Sequence, residues 1–304
     1  MTSPIKVLVL GGSGFVGRAV AAECARHGDA VRSVGSADLD LRSPESVPML
    51  QRWVGPDTVV IMAAALTRDR GGETADAFAG NVAMVVHVSE AIRRSPPAQC
   101  IYLSSDAVYG EHQTNLLRDE RVVPAPGTLY AIAKLAGEHL LKDAAARAGS
   151  VLTILRPCRI YGPGDGHPTY GPARFVASAR AGGAIELFGR GEERRDFLYI
   201  DDLVAVIRGA MERRVSGLFN AATGESRSFA EVAAELARLI PGTRIAHAPR
   251  VRPVCHLGFT VDALRRAFPA VRWTMLEEGL ARTVQSEPPT AAHTQEQGAL
   301  ACPK

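Results

Sequence analysis

The sequence predicts an α/β chain: a doubly wound parallel sheet with helices on both faces, followed by a smaller C-terminal module. Three observations carry this prediction. Apolar, β-branched runs alternate with longer helical patterns through the first half of the chain. Those runs are apolar almost without a break (VLVL, VVIMAA), as strands covered on both faces must be. A glycine-rich turn, GGSGFVG at 11–17, joins the first strand pattern to the first helical one.

In chain order, strands are expected at 5–10, 30–35, 58–64, 99–105 and 151–157, with helices at 15–27, 44–53, 73–94 and 128–148 between them. After Pro157 the alternation loosens. The segment YGPGDGHPTYGP (161–172) is dense in Gly and Pro and reads as a loop leaving the sheet. A helix near 173–181, strands near 184–189 and 194–200, a helix at 201–213, a strand at 218–222 and a helix at 229–240 follow. The section up to about residue 284 is mixed, and the last residues lack apolar periodicity and read as a mobile tail. The 304 residues exceed a single core of roughly 100–200, which favours a large domain with an appendage.

Bulk properties remove several classes of function. The net charge is +3, with Lys and Arg dispersed among Asp and Glu, which does not make a nucleic-acid surface. The five cysteines, Cys24, Cys100, Cys158, Cys255 and Cys302, are scattered and form no C-x-x-C pair, so reduced thiols and a cytoplasmic location are expected and no metal site is. The start MTSPIKVLVL runs directly into a strand and does not read as a signal peptide. No apolar run reaches the roughly 18 residues that span a bilayer.

The glycine turn has a mechanism. Glycine serves where the backbone turns sharply and where it must approach a pyrophosphate with no Cβ in the way. The helix beginning near Phe15 aims its free N–H groups and positive dipole end at the same place. Gly11, Ser13, Gly14, Phe15, Val16 and Gly17 are therefore the candidate dinucleotide contacts here, with Gly12 additional. An NAD site commonly has an acidic residue at the end of the second strand, bonding the ribose 2′-hydroxyl. Here AVRSVGSAD ends in Gly35 and Ser36, while Asp38 and Asp40 come late. Arg18, Arg32, Arg42 and Arg68 lie nearby in sequence, which favours a 2′-phosphate and hence NADP over NAD. Each arginine, taken singly, also reads as a solvated surface residue.

Chemistry is expected from GTLYAIAKLAGEHL (127–140), which opens a helix. Tyr130 and Lys134 are one turn apart on one face. A tyrosine at its free pKa of about 10 is a poor acid–base group at neutral pH, and a nearby ammonium favours the phenolate. The pair alone is a frequent helical coincidence. A second element, IYLSSDAVYG (101–110), is an apolar strand ending in Ser104-Ser105 at the carboxyl edge of the sheet, where open α/β sheets bind ligands. A serine there also serves simply to turn strand into loop. Glycine loop, Tyr130–Lys134 and Ser105 together fit one chemistry, proton and hydride exchange at a carbinol or carbonyl.

In these residues the chain resembles the extended short-chain dehydrogenase/reductase family, in its NAD-dependent epimerase/dehydratase branch, from Lys6 to about Leu280. GGSGFVG, MAAALT (62–67), Asn81-Val82, SSDAVYG, YAIAK, LRPCRIYGPGD (155–165), RRDFLYIDD (194–202) and FNAATGESRSF (219–229) occur in family order. The resemblance implies a Rossmann dinucleotide-binding domain, 1–158 with about 196–222, and a substrate domain, about 159–195 and 223–285. It implies that Ser105 polarises the substrate oxygen, Tyr130 is the general acid/base and Lys134 holds the ribose. It implies cofactor contacts at Asp40, Leu41, Ala63, Ala64 and Pro157, and substrate contacts at Asn81, Ser105, Asp106 and Arg195. Arg195 would grip a nucleotide-sugar diphosphate; an ion pair with Glu192 or Glu193 is its other reading. Asp196 and Asp202 read as structural, with Asp202 capping the helix that begins there. A homodimer through helices 73–94 and 128–148 is implied too.

Departures narrow the reaction. Sugar 4,6-dehydratases of this branch carry Thr-Asp-Glu where this chain has Ser105-Asp106-Ala107, and Ala107 has no proton to take or give. The epimerase-reductases that make fucose nucleotides use a Cys after the serine pair and a His beyond the YGP motif; here Asp106 stands at the first place and His167 is displaced from the second. The short link after the second strand resembles the ketoreductases that finish deoxysugar nucleotides. A reductase of a nucleotide-linked keto-sugar is therefore the leading expectation. A nucleotide-sugar epimerase, a reductase of another natural-product ketone and a dinucleotide-binding protein without turnover stand as alternatives.

Overall fold

The computed structural model describes residues 4–67, 73–111, 117–166 and 171–286. The first half runs β1 (Lys6–Leu10), α1 (Phe15–Arg26), β2 (Ala30–Val34), α2 (Ser46–Trp53), β3 (Thr58–Met62), α3 (Ala75–Arg94), β4 (Gln99–Leu103), β5 (Leu117–Arg118) and α4 (Leu129–Ala148). Then come β6 (Val151–Pro157), β7 (Arg159–Tyr161), α5 (Gly171–Arg180), β8 (Ala184–Phe188), β9 (Arg194–Tyr199), α6 (Ile200–Arg213) and β10 (Gly217–Ala221). The chain continues through β11 (Ser226–Ser228), α7 (Phe229–Leu239), β12 (Arg244–Ala248), β13 (Gly258–Phe259), α8 (Asp262–Ala267) and α9 (Leu276–Gln285).

Six strands form the central sheet in the order β10-β6-β4-β3-β1-β2, every neighbouring pair parallel. Alternation of side chains across the sheet divides the core. Val7, Val9, Ile61 and Ile101 pack on one face with Val20 of α1 and Leu203 of α6. Leu8, Leu10, Val60 and Met62 pack on the other with Met84, Val85 and Val88 of α3. Fully burying each such side chain is worth roughly 1.5–3 kcal/mol. That two-sided burial is why β3 and β4 are buried throughout and apolar beyond their first residues, whereas the edge strand β2 is largely exposed and carries Arg32 and Ser33. Strand order reverses direction between β1 and β3, so their carboxyl ends flank a crevice suited to a ligand.

Local signals set the helix starts. Thr74 caps α3 by accepting from the Ala77 amide, Thr128 caps α4 by accepting from the Ala131 amide, and Ser228 and Glu231 form a capping box on α7. Helix α1 starts at Gly14 with no side-chain cap, so its first amides remain available at the crevice.

Beyond Pro157 the structure departs from the expectations in three places. Arg159–Tyr161 forms β7, pairing parallel to β9, ahead of the Gly/Pro loop. The mixed section yields β12, which pairs with β8, and the two-residue β13, which pairs with β5. Asp202 does not cap α6, whose N-cap is Tyr199; its carboxylate accepts from the Thr274 amide at 2.9 Å and hydroxyl at 2.7 Å. These are tertiary pairings between distant segments, which local periodicity does not encode. The expected tail falls almost wholly, and Arg68 and His167 wholly, outside the described residues.

Candidate active site

The glycine loop is shaped by contact with β3. Gly11 turns with φ +90°, and a Cβ on it would lie 2.5 Å from the Ala64 nitrogen and 2.8 Å from the Ala63 carbonyl carbon. The Gly11 and Gly12 amides both donate to the Val34 carbonyl at 2.9 Å, which holds the loop on the tip of β2. Gly17, in the first turn of α1, passes the Gly11 carbonyl too closely for any side chain. A loop this tight, with uncapped helix amides behind it, fits a pyrophosphate. Ala63 and Ala64 continue from β3 along the same crevice, with the Ala63 amide bonded to Leu10 at 2.8 Å.

The ribose end is less regular. The Asp38 carboxylate turns back and accepts from the Gly35 amide at 2.8 Å, so a carboxylate reaches the tip of β2 although sequence spacing puts it late. Asp40 is paired to Arg42 at 2.8 Å, and Leu41 buries its side chain in the core. The expected adenine-contact pair is thus a self-paired Asp40 and a core Leu41. Arg32 stacks on Trp53 at 4.7 Å. Arg18 donates to the carbonyls of Ser13 at 2.6 Å and Gly164 at 3.3 Å, bridging the glycine loop and the loop after β7.

Asn81 is bonded on both sides of its side-chain amide to Leu66. Its side-chain oxygen accepts from the Leu66 amide at 2.8 Å and its nitrogen donates to the Leu66 carbonyl at 3.0 Å. The amide thereby copies a strand partner and fixes the segment after β3.

The catalytic candidates meet at the carboxyl edge of β4. Thr128 starts α4 so that Tyr130 and Lys134 fall on one face, with the Lys134 ammonium 5.7 Å from the Tyr130 ring centre. Lys134 is buried and donates to the Leu103 carbonyl at 2.7 Å, with the Tyr102 ring 5.2 Å away. Burial pushes its pKa down to about 8, against the upward pull of Glu138. Ser105, two residues beyond the end of β4, caps a short 3-10 turn over Asp106–Tyr109, accepting from the Ala107 amide at 3.1 Å. Its hydroxyl donates to the Asp106 carboxylate at 3.3 Å. Pro157 closes β6 beside them, two strands from β3.

Sequence reasoning missed the charges around Asp106. Burial pushes its carboxyl up while Arg159, Arg195 and Arg118 pull it down. Arg195 is 4% exposed and is no surface residue. It donates to the carbonyls of Arg194 and Cys255 and lies 3.8 Å from Glu111 and 3.9 Å from Glu193. Glu192 pairs instead with Arg250 at 3.1 Å. Also missed was a buried group behind Lys134, made of Ser104, Glu138 and Arg156. The signal was available: Tyr130, Lys134 and Glu138 are spaced by four on one helix face. Among the described residues there is no metal-binding group and no helix long and apolar enough to cross a membrane.

The model of the NAD dependent epimerase/dehydratase family matches residues 7–222. A GDP-L-fucose synthase from Azorhizobium caulinodans is 29% identical over 255 residues, covering 77% of this chain and 80% of that protein. A dTDP-4-dehydro-6-deoxy-D-allose reductase from Streptomyces bikiniensis is 26% identical over 249 residues, covering 73% and 74%. Among solved structures, MoeE5 in complex with UDP-glucose and NAD is 26% identical, with a TM-score of 0.79 over 92% of this chain and 97% of that one.

Proposed function

Because this chain belongs to the NAD-dependent epimerase/dehydratase family, we propose that it is an NAD(P)-dependent reductase of a keto-sugar carried on a nucleoside diphosphate. The observation that carries the reading is the placing of Tyr130 and Lys134 on one turn of α4, with Ser105 at the end of the strand under it. The relatives named for GDP-L-fucose and for a dTDP-linked keto-sugar reductase support the substrate class. The departures at Asp106 and Ala107 set aside dehydration and the two-base epimerisation.

When bound, the reduced nicotinamide supplies the hydride to the carbonyl carbon. Ser105 donates to the carbonyl oxygen and orients it. Tyr130 gives its phenolic proton to that oxygen as the C=O π bond breaks, leaving a C–H and an O–H bond. The Lys134 ammonium stabilises the phenolate until solvent returns the proton. Pro157 borders the nicotinamide, and Arg195, with Asp106 beside Ser105, contacts the substrate. Arg195 faces the diphosphate, which a buried guanidinium suits.

NADP is the proposed cofactor. The tip of β2 ends in Gly35-Ser36, and among the described residues Arg18 donates to the main-chain carbonyls of Ser13 and Gly164, which leaves its charge for a 2′-phosphate. A second reading, an epimerase retaining NAD, is favoured by the Asp38 carboxylate at the tip of β2 and by the likeness to MoeE5. The domain division, residues 1–158 with about 196–222 as dinucleotide domain and about 159–195 with 223–285 as substrate domain, belongs to the same proposal. So do the cytoplasmic location and a homodimer through α3 and α4, whose outer faces expose Val86 and Ile132. The test is a panel of dTDP-, GDP- and UDP-linked 4-keto-sugars with NADPH and NADH, following reduced-nicotinamide absorbance. Consumption with a panel member supports the reductase. None, together with stoichiometric NAD released on denaturation, moves the assignment to an epimerase.

A further inference from the structure

We propose that Glu138 is a positioning residue that holds Lys134 in its charged form and ties together the three segments carrying the catalytic groups. This rests on Lys134 being catalytic. The Glu138 carboxylate is fully buried on α4, one turn beyond Lys134 and two beyond Tyr130. Its Oε1 accepts from the Ser104 hydroxyl at 2.6 Å, and Ser104 directly precedes Ser105. The same carboxylate takes a two-pronged bond from Arg156, Nε to Oε1 at 2.8 Å and Nη2 to Oε2 at 2.7 Å, and Arg156 directly precedes Pro157. One carboxylate thus joins the helix of Tyr130 and Lys134, the strand end of Ser105 and the strand end of Pro157. Arg156 is held on its far side by the Tyr109 ring, 4.7 Å away.

The electrostatic half of the proposal follows from what surrounds the Lys134 ammonium. From β4 it meets a neutral carbonyl, Leu103, and the Tyr102 ring. On α4, Tyr130 lies one turn before it and Glu138 one turn after it, and Arg156 of β6 is paired to Glu138. Glu138 is the anion opposing the desolvation of Lys134. A lysine that loses its proton too readily would leave the Tyr130 phenolate without its stabilising charge.

The chain contains four lysines, Lys6, Lys134, Lys142 and Lys304, so Lys134 can be watched directly. Nuclear magnetic resonance of protein labelled with 13C at the lysine Cε would follow each titration with pH, Lys134 being assigned from the Lys134→Met spectrum. No substrate is needed, so the outcome is independent of whether the chain is a reductase. In Glu138→Gln the Lys134 midpoint should fall by about one pH unit or more. In Ser104→Ala, which keeps the charge and loses one hydrogen bond, it should stay. Glu138→Gln leaves Arg156 buried without its counter-charge, so a Glu138→Gln/Arg156→Met double variant guards against loss of the fold. It too should show the lowered midpoint. An unmoved midpoint in a folded variant lacking the Glu138 charge, or an equal shift in Ser104→Ala, overturns the proposal.

Discussion

Gly11 and Ala64 touch main chain to main chain, with room for no side-chain carbon between them. Two strands neighbouring in the sheet but 48 residues or more apart in sequence, β1 and β3, thereby set the width of the crevice. Gly11→Ala must push the loop off β3 while also adopting φ +90°, which only glycine does freely. The variant should lose about 1–3 kcal/mol of stability and bind NADPH at least about ten-fold more weakly. Thermal melts and a fluorescence titration with NADPH check both.

Lys134 should be a residue kept at a cost in stability. Its folded pKa, about 8, lies below the ordinary lysine value of 10.5. Between those values the unfolded chain binds more protons, so stability contributed by this site rises with pH; below about 8 the burial penalty is present in full. Lys134→Met should therefore be more stable than the parent at neutral pH, by an amount on the order of 1–3 kcal/mol. The advantage should shrink as pH rises from about 8 to 10.5. Comparing the two proteins in denaturant across that range isolates Lys134 from the buried thiols Cys24 and Cys100, whose ionisation works in the opposite direction. A difference that does not change with pH would contradict the assignment of the charge.

Arg18 links the carbonyls of Ser13 and Gly164 across the mouth of the crevice. If it meets a 2′-phosphate, Arg18→Ala should weaken NADPH about ten-fold or more and leave NADH within about two-fold. Equal weakening of both would reduce Arg18 to a loop clasp, and Asp38 would then decide the cofactor as an NAD-type ribose partner.

The parts of the site legible in sequence are those whose partners are close along the chain. GGSGFVG, the Tyr130–Lys134 spacing and the Ser104-Ser105 strand end each declare themselves within a few residues, and the sheet follows from the strand–helix rhythm. What stayed hidden depends on distant partners. Nothing local says that the Asn81 amide is bonded to Leu66, 15 residues away. Asp202 read as a helix cap because Thr274 is 72 residues on. The burial of Arg195 under Cys255 was hidden because it depends on a loop with no periodicity. Asp38 looked misplaced because the turn that folds it back to Gly35 is not a spacing rule.

The most direct test of the central claim is the Tyr130→Phe variant, compared with the parent for NADPH-dependent reduction of the nucleotide keto-sugars. The proposed chemistry predicts that turnover falls by at least about a hundred-fold, since general acid catalysis contributes roughly 10²–10⁴, while NADPH binding stays within a few-fold. Turnover that survives the loss of that hydroxyl would contradict it, because the proton would then come from a group other than Tyr130.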